Sequence, residues 1–178
     1  TIPTELGSWS ALETFEVDKN SLTGTVPTEL GALSTLTWLD LNDNKLTGTL
    51  PTELGHLTAL EGLFIASNKL TGPIPTEIGH LTALIELGLF NNSFSGTLPT
   101  EIEVCRSLKR LFVAQNYLTG TLPIGLGQLT ALEFFYGSKN LLNGTVPTEL
   151  GQLTALEVVG IDNNLLTGVL PTELGMIT

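Results

Sequence analysis

The side chains that could do chemistry in this sequence stand at fixed intervals. His56 and His80 are 24 residues apart, and Glu5, Glu29, Glu53, Glu77, Glu101, Glu149 and Glu173 fall on multiples of the same interval. Two imidazoles in one column are two potential metal ligands, but no further ligand column accompanies them, so no metal site is expected. A column of carboxylates ~5 Å apart lies within one Debye length of ~8 Å and repels itself. Calcium could bridge such oxygens; a solvated acidic stripe is the plainer reading. The single cysteine, Cys105, stands at a leucine position and reads as a buried, inert thiol. No nucleophile–histidine–acid set, phosphate-cradling glycine loop or Cys/His cluster occurs. No catalytic residue and no cofactor are therefore assigned, and an enzyme has no support.

Aromatic residues offer a different chemistry, that of recognition. With Pro counted as position 1 of each 24-residue unit, positions 12, 14 and 16 alternate away from the apolar strand positions 13 and 15. These outward columns hold Trp38, Phe64, Phe90, Phe112, Phe134 and Tyr136, with Arg110 among them and Tyr117 at the rim. Seven of the eleven aromatics are thus expected at or near the surface, and only Trp9, Phe15, Phe94 and Phe135 in the core. Such a patch marks an interaction surface, and aromatic anchors dominate binding sites. Arg110 can pair with an acid or stack on a ring. Glu16, Asp18, Asp40 and Asp43 make the N-terminal end of this face acidic. The partner is a protein, a glycan or another copy of the chain; the competing reading is a drifting repeat whose surface accepts any residue.

Two sequons, Asn91-Asn92-Ser93 and Asn143-Gly144-Thr145, place possible N-glycosylation on Asn91 and Asn143. Threonine pairs around a repeated glycine, such as Thr23/Thr25, Thr47/Thr49 and Thr119/Thr121, form hydroxyl columns. They could match an ice lattice or carry O-linked sugars, although ordinary β-compatible threonine explains them.

All these columns follow from one repeat. Prolines 3, 27, 51, 75, 99, 123, 147 and 171 mark seven full units from Pro3 to Leu170 and the start of an eighth. Such a period decides the fold before any local signal. In the third unit the apolar set is Leu54, Leu57, Leu60, Leu63, Ile65, Leu70 and Ile74. Spacing of three at the start predicts a 3₁₀-like turn, and spacing of two at Leu63 and Ile65 predicts a strand. No unit buries its leucines alone; stacking does so. Position 18 is asparagine throughout (Asn20, Asn44, Asn68, Asn92, Asn116, Asn140, Asn164), and is expected to form a structural ladder satisfying backbone groups. Position 22 is always glycine, which implies a backbone that a Cβ would obstruct. Units five and six depart from the pattern: Glu103 replaces a glycine, Ile124-Gly125 replaces Thr-Glu, and Gly137 takes a core position that a bulky neighbour is expected to fill.

The run from Leu57 to Pro75, read as LxxLxxLxLxxNxLTGxxP with Ile65 for one leucine, resembles the plant-type leucine-rich repeat, and the likeness covers the whole chain. The uniform PTELGxLTxLE wording resembles such proteins of microalgae, including diatoms. The resemblance implies an α/β solenoid: a right-handed superhelix with one parallel β-sheet, a second small sheet from the LTGTxP stretch, and short 3₁₀ segments. It also implies an extracellular or cell-surface setting, with binding on the concave strand face, as in receptor ectodomains, inhibitors and adhesion proteins. The family's cysteine-bearing caps are missing, and residues 1–178 are read as a single array, a segment of a longer chain.

Composition narrows the alternatives. A net charge of −11 opposes nucleic-acid and anionic-membrane binding. No apolar run is long enough for membrane insertion, and the first residues already belong to the repeat. The leading expectation is a non-enzymatic extracellular module that binds a protein or glycan through its aromatic face. The alternatives are a structural stretch of a cell-surface or matrix filament, possibly glycosylated, and, more distantly, ice binding through the threonine columns.

Overall fold

The computed structural model describes residues 1–176; Ile177 and Thr178, at the end of the partial eighth repeat, lie outside the described residues. Each unit forms one coil of a stack. Its proline, held in extended backbone (φ −66° at Pro51), leads into a five-residue 3₁₀ helix such as Thr52–His56. Among the described residues eight such helices recur, from Thr4–Ser8 to Thr172–Met176. A 3₁₀ turn places residues three apart on one side, so Leu54 and Leu57 both enter the core.

A three-residue strand follows in each coil. The seven strands Thr14–Glu16, Trp38–Asp40, Gly62–Phe64, Glu86–Gly88, Arg110–Phe112, Phe134–Tyr136 and Val158–Gly160 form one parallel sheet in chain order. Each residue pairs with the one 24 positions on, as in Leu39↔Leu63. The middle residue of each strand points inward, and Leu39, Leu63, Leu87, Leu111 and Phe135 are fully buried. Beyond the sheet, position 17 adopts left-handed backbone in every coil, from Lys19 (φ 51°) to Asn163 (φ 54°). The cost of this conformation is offset by bonds between coils, such as Asp43 N–H to Ala66 O at 2.9 Å.

A second parallel sheet follows the turn. Five strands (Thr23–Gly24, Lys45–Gly48, Lys69–Pro73, Ser93–Thr97, Tyr117–Thr119) make one block, and Asn143–Gly144 with Leu165–Leu166 another. A single bridge, Thr121↔Asn143, joins the two. Here partners lie 22 residues apart, as in Thr23↔Lys45, so this sheet is staggered against the first.

The asparagines tie one coil to the one before. Asn116 Nδ2 donates to Leu89 O (3.1 Å) in the preceding coil and to Val113 O and Ala114 O (both 3.2 Å) in its own. Its Oδ1 accepts from Phe94 N–H at 2.9 Å. The ladder therefore runs through backbone, not from amide to amide. The Asn20 side chain, in the first coil, donates to Val17 O and Asp18 O of its own coil.

Glycine serves two contacts. At position 22 the backbone is left-handed (Gly72, φ 79°), and an added Cβ would meet Thr49 Cγ2 at 2.8 Å. At position 5 the fault is contact alone: a Cβ on Gly31 would come within 2.3 Å of Glu53 O in the next coil. This second contact explains the two departures in units five and six as one. Glu103 stands at position 5 of its coil and Gly125 opposite it at position 3 of the next. A Cβ on Gly125 would fall 1.8 Å from Glu103 Oε2 and 2.9 Å from its Cβ. Glutamate and glycine have exchanged sides of the contact, and the Glu103 carboxylate occupies the place of the missing position-3 side chain. At Gly137, the Phe135 ring lies 3.1 Å from where a Cβ would stand and fills that gap.

Trp9 departs from the expected core position and is 55% exposed. Val159, the inward residue of its strand, is 40% exposed.

Two substitutions test this account. Asn116→Ala leaves the Phe94 N–H without a partner and takes one of two donors from the Leu89 carbonyl, which Asn92 Nδ2 still reaches at 3.3 Å; it is expected to cost about 2 kcal/mol in chemical denaturation. Gly125→Glu places two side chains in one slot and is expected to cost about 1–3 kcal/mol. Adding Glu103→Gly should restore most of that loss, a coupling read by a double-mutant cycle.

Candidate functional site

The register of the main sheet turns sequence columns into surface rows. One row runs Trp38, Gly62, Glu86, Arg110, Phe134 and Val158; the next runs Glu16, Asp40, Phe64, Gly88, Phe112, Tyr136 and Gly160. Phe90 lies beyond its strand, in the column of Ala66 and Ala114.

Trp38 and Phe64 pack together, with ring centroids 4.8 Å apart and planes tilted by 41°. Both rings lean over Gly62, where a Cβ would meet them at 2.5 and 2.8 Å. Phe64 also covers Gly88, at 3.1 Å, and Tyr136 covers Gly160, at 3.0 Å. The expected exposure is thus reduced: Trp38, Phe64, Phe112 and Phe134 are half-buried, while Phe90 (39%), Tyr136 (37%) and Tyr117 (58%) are exposed. Sequence reasoning missed the seats Gly62, Gly88 and Gly160. Their signal was a glycine in an outward strand column 24 residues after an aromatic.

Phe112 and Tyr136 form a second ring pair, with centroids 5.5 Å apart. With Phe90 and Ala114 they line a hydrocarbon cup of about 290 Å³ on the outer face. In the neighbouring row, on the strands of the second ring pair, Arg110 bonds the Glu86 carboxylate and stands over the Phe134 ring, 5.7 Å from its centre. Both kinds of partner expected for Arg110 are present; Glu86, one coil earlier in the same column, was not singled out.

The N-terminal end of this face is acidic. Glu16 and Asp40 are register partners, and Asp18 pairs with Lys19 at 3.3 Å. Burial raises the Asp40 carboxyl above the ordinary value, and repulsion from Asp18 and Glu16 adds to this; the Asn42 N–H and Lys19 oppose it. Asp43 is exposed at the left-handed position beside the strand. At the other end Ser138 and then Asn163 donate to Asp162 and lower its carboxyl.

The remaining candidates lie elsewhere. Asn91 is exposed in left-handed backbone (φ 55°) and donates to Ser67 Oγ at 3.2 Å; Asn143 is exposed on the second sheet. His56 and His80 are exposed in their 3₁₀ helices. Among the described residues no group of three or more His, Cys, Asp or Glu is gathered as metal ligands. In the glutamate column, the neighbouring threonine hydroxyl donates to each carboxylate, as Thr52 does to Glu53 at 3.3 Å. Cys105 is fully buried, its thiol directed at Ile78 O (3.4 Å), and burial pushes its pKa up to about 11. At position 21, Thr47, Thr71, Thr119 and Thr167 spend their hydroxyls on backbone of the preceding coil, as Thr47 does on Gly24 O at 3.3 Å. Among the described residues no helix is long and apolar enough to cross a membrane.

The leucine rich repeat family profile matches residues 34–94. Among solved structures, the plant peptide hormone receptor RGFR1, in complex with RGF2, superposes at TM-score 0.96 with 37% identity. This match covers 97% of the present chain and 28% of the receptor chain. The chain belongs to the plant-type leucine-rich repeat family. A second relative of this leucine-rich repeat chain is the Arabidopsis receptor kinase HAESA, solved with the peptide hormone IDA and the co-receptor SERK1. It matches at TM-score 0.94 and 35% identity, over 99% of this chain and 30% of that one. A plant ice-binding protein shares the fold at TM-score 0.69 and 24% identity, over 96% of this chain and 70% of that one. Among curated proteins, none matches the leucine-rich repeat chain by sequence. The repeat array spans less than a third of the length of either receptor chain.

The Asp40 shift carries a signed prediction. A carboxyl raised in the folded state binds protons more readily there than when unfolded, so its ionisation costs stability as pH rises through the folded value. Asp40→Asn, which keeps the acceptor for Asn42 N–H, is expected to raise Tm slightly at neutral pH. The gain should vanish below the ordinary aspartate range, as followed by thermal melts across pH.

Proposed function

We propose that this chain is a non-enzymatic extracellular binding module that receives a protein or peptide on the outer face of its main sheet. The observation that carries the reading is the cup between Phe90, Phe112, Ala114 and Tyr136. It is an apolar concavity, open to solvent, in a fold whose regular outer positions need no aromatic residue. Rings held over glycine seats lose little freedom on binding, which suits them as anchors. The receptors RGFR1 and HAESA, solved with peptide hormones, support a peptide or protein as the partner class and the cell exterior as the setting. Trp38, Phe64 and Phe134 extend the contact, and Arg110, fixed by Glu86, supplies an oriented donor set. Asn91 and Asn143 are accessible acceptors for N-glycans in that setting. A glycan on Asn91 stands next to Phe90 and would screen one wall of the cup.

Display of a random peptide library tests this. Peptides enriched on the native chain are expected to lose at least about tenfold in affinity on the Phe112→Ala/Tyr136→Ala variant, the loss typical of central aromatic anchors. Enriched peptides that bind both proteins equally would move the site off this face.

A further inference from the structure

The outer face carries two surfaces of different chemistry within a short span. The hydrocarbon cup lies on the fourth to sixth strands. Glu16, Asp18 and Asp40 gather at the first and second, and their one ion pair among the described residues is Asp18 with the highly exposed Lys19. Next to Asp40 stands the Trp38–Phe64 ring pair, Phe64 being its register partner.

The same protein shows what such an arrangement holds. Two coils further on, a carboxylate (Glu86) and an aromatic ring (Phe134) fix a guanidinium (Arg110) between them. Asp40 and Phe64, register partners on adjacent strands, also bring an acid and a ring together, and their row of the sheet holds no basic side chain. A cation brought there gains an ion pair, contact with the ring faces, and relief of the repulsion among the three carboxylates.

We propose that the outer face takes an extended peptide laid across the strands, with an apolar side chain in the cup and an arginine or lysine at Asp40, beside Glu16 and the Trp38–Phe64 rings. This rests on reading the face as a peptide-binding surface and adds the chemistry of the ligand. Three inter-strand steps separate Asp40 from Phe112; at ~4.8 Å each they span ~14 Å, or about four residues of extended chain. Charge complementarity selects the occupant. The chain carries a net charge of −11, so a second copy or an acidic partner is repelled where a basic peptide is drawn in.

The test uses labelled synthetic peptides with a leucine and an arginine about four residues apart, read by fluorescence anisotropy. Control peptides carry glutamate for arginine, or the two residues adjacent. The expected result is binding by the spaced Leu/Arg peptide, weakened about tenfold by Asp40→Asn/Glu16→Gln and by Tyr136→Ala, and weakened by added salt. Both variants change exposed or half-exposed side chains, and melting curves verify that they fold. Peptide binding that needs Tyr136 but ignores the acidic pair, the arginine and salt would overturn this inference and leave the function reading standing. Binding indifferent to Tyr136 would sink both. Self-association lost with Tyr136→Ala would assign the cup to a second copy and likewise overturn the proposal.

Discussion

Everything in this structure depends on each coil finishing the hydrogen bonds of its neighbour. A 24-residue coil with a three-residue strand has no partner for that strand within itself. Its N–H and C=O groups are satisfied only by the coils before and after, and the position-18 asparagine completes the set where the strand ends. Asn44, Asn68, Asn92, Asn116, Asn140 and Asn164 each reach back 27 residues to one carbonyl and 22 to one N–H. Among the described residues no buried side-chain nitrogen or oxygen is left unpaired. An insertion in any coil would misplace these bonds, which is why the period holds without interruption.

That constraint also makes the surface. Because the register is constant, residues 24 apart become neighbours in a row, and any departure from the consensus has an address. The exchange of Glu103 with Gly125 shows how tightly neighbouring coils are coupled: the contact tolerates one side chain, and which coil provides it is indifferent. The outer aromatic rows obey the same rule. Trp38 and Phe64 can lean over Gly62, and Phe64 over Gly88, because neither glycine has a Cβ, and Tyr136 lies over Gly160 for the same reason.

The face built this way is graded rather than uniform. Carboxylates dominate its N-terminal end, hydrocarbon its middle, and a fixed Glu86–Arg110–Phe134 set stands alongside the second ring pair. Such a gradient suits a ligand that lies across the strands, since a ligand aligned with one strand would meet only one of these chemistries.

The sequence alone determined the stack. A 24-residue period, leucine spacing of three and then two, and invariant asparagine and glycine dictate the coil, its main parallel sheet and its 3₁₀ turns, because each of these depends on local geometry repeated without change; the second sheet followed from the likeness of the LTGTxP stretch to the plant-type repeat. It also determined which columns face outward, and so where Phe112, Tyr136 and Asp40 stand in the rows. Only the tertiary structure decided how side chains from different coils share space. Glu103 and Gly125 read as two separate irregularities and are one contact. Phe90, Phe112 and Tyr136, from three coils, close a cup around Ala114 that no single repeat contains. The physical reason is common to both: position in a repeat sets the direction of a side chain, but its exposure and partners depend on the size of whatever the adjacent coil places beside it.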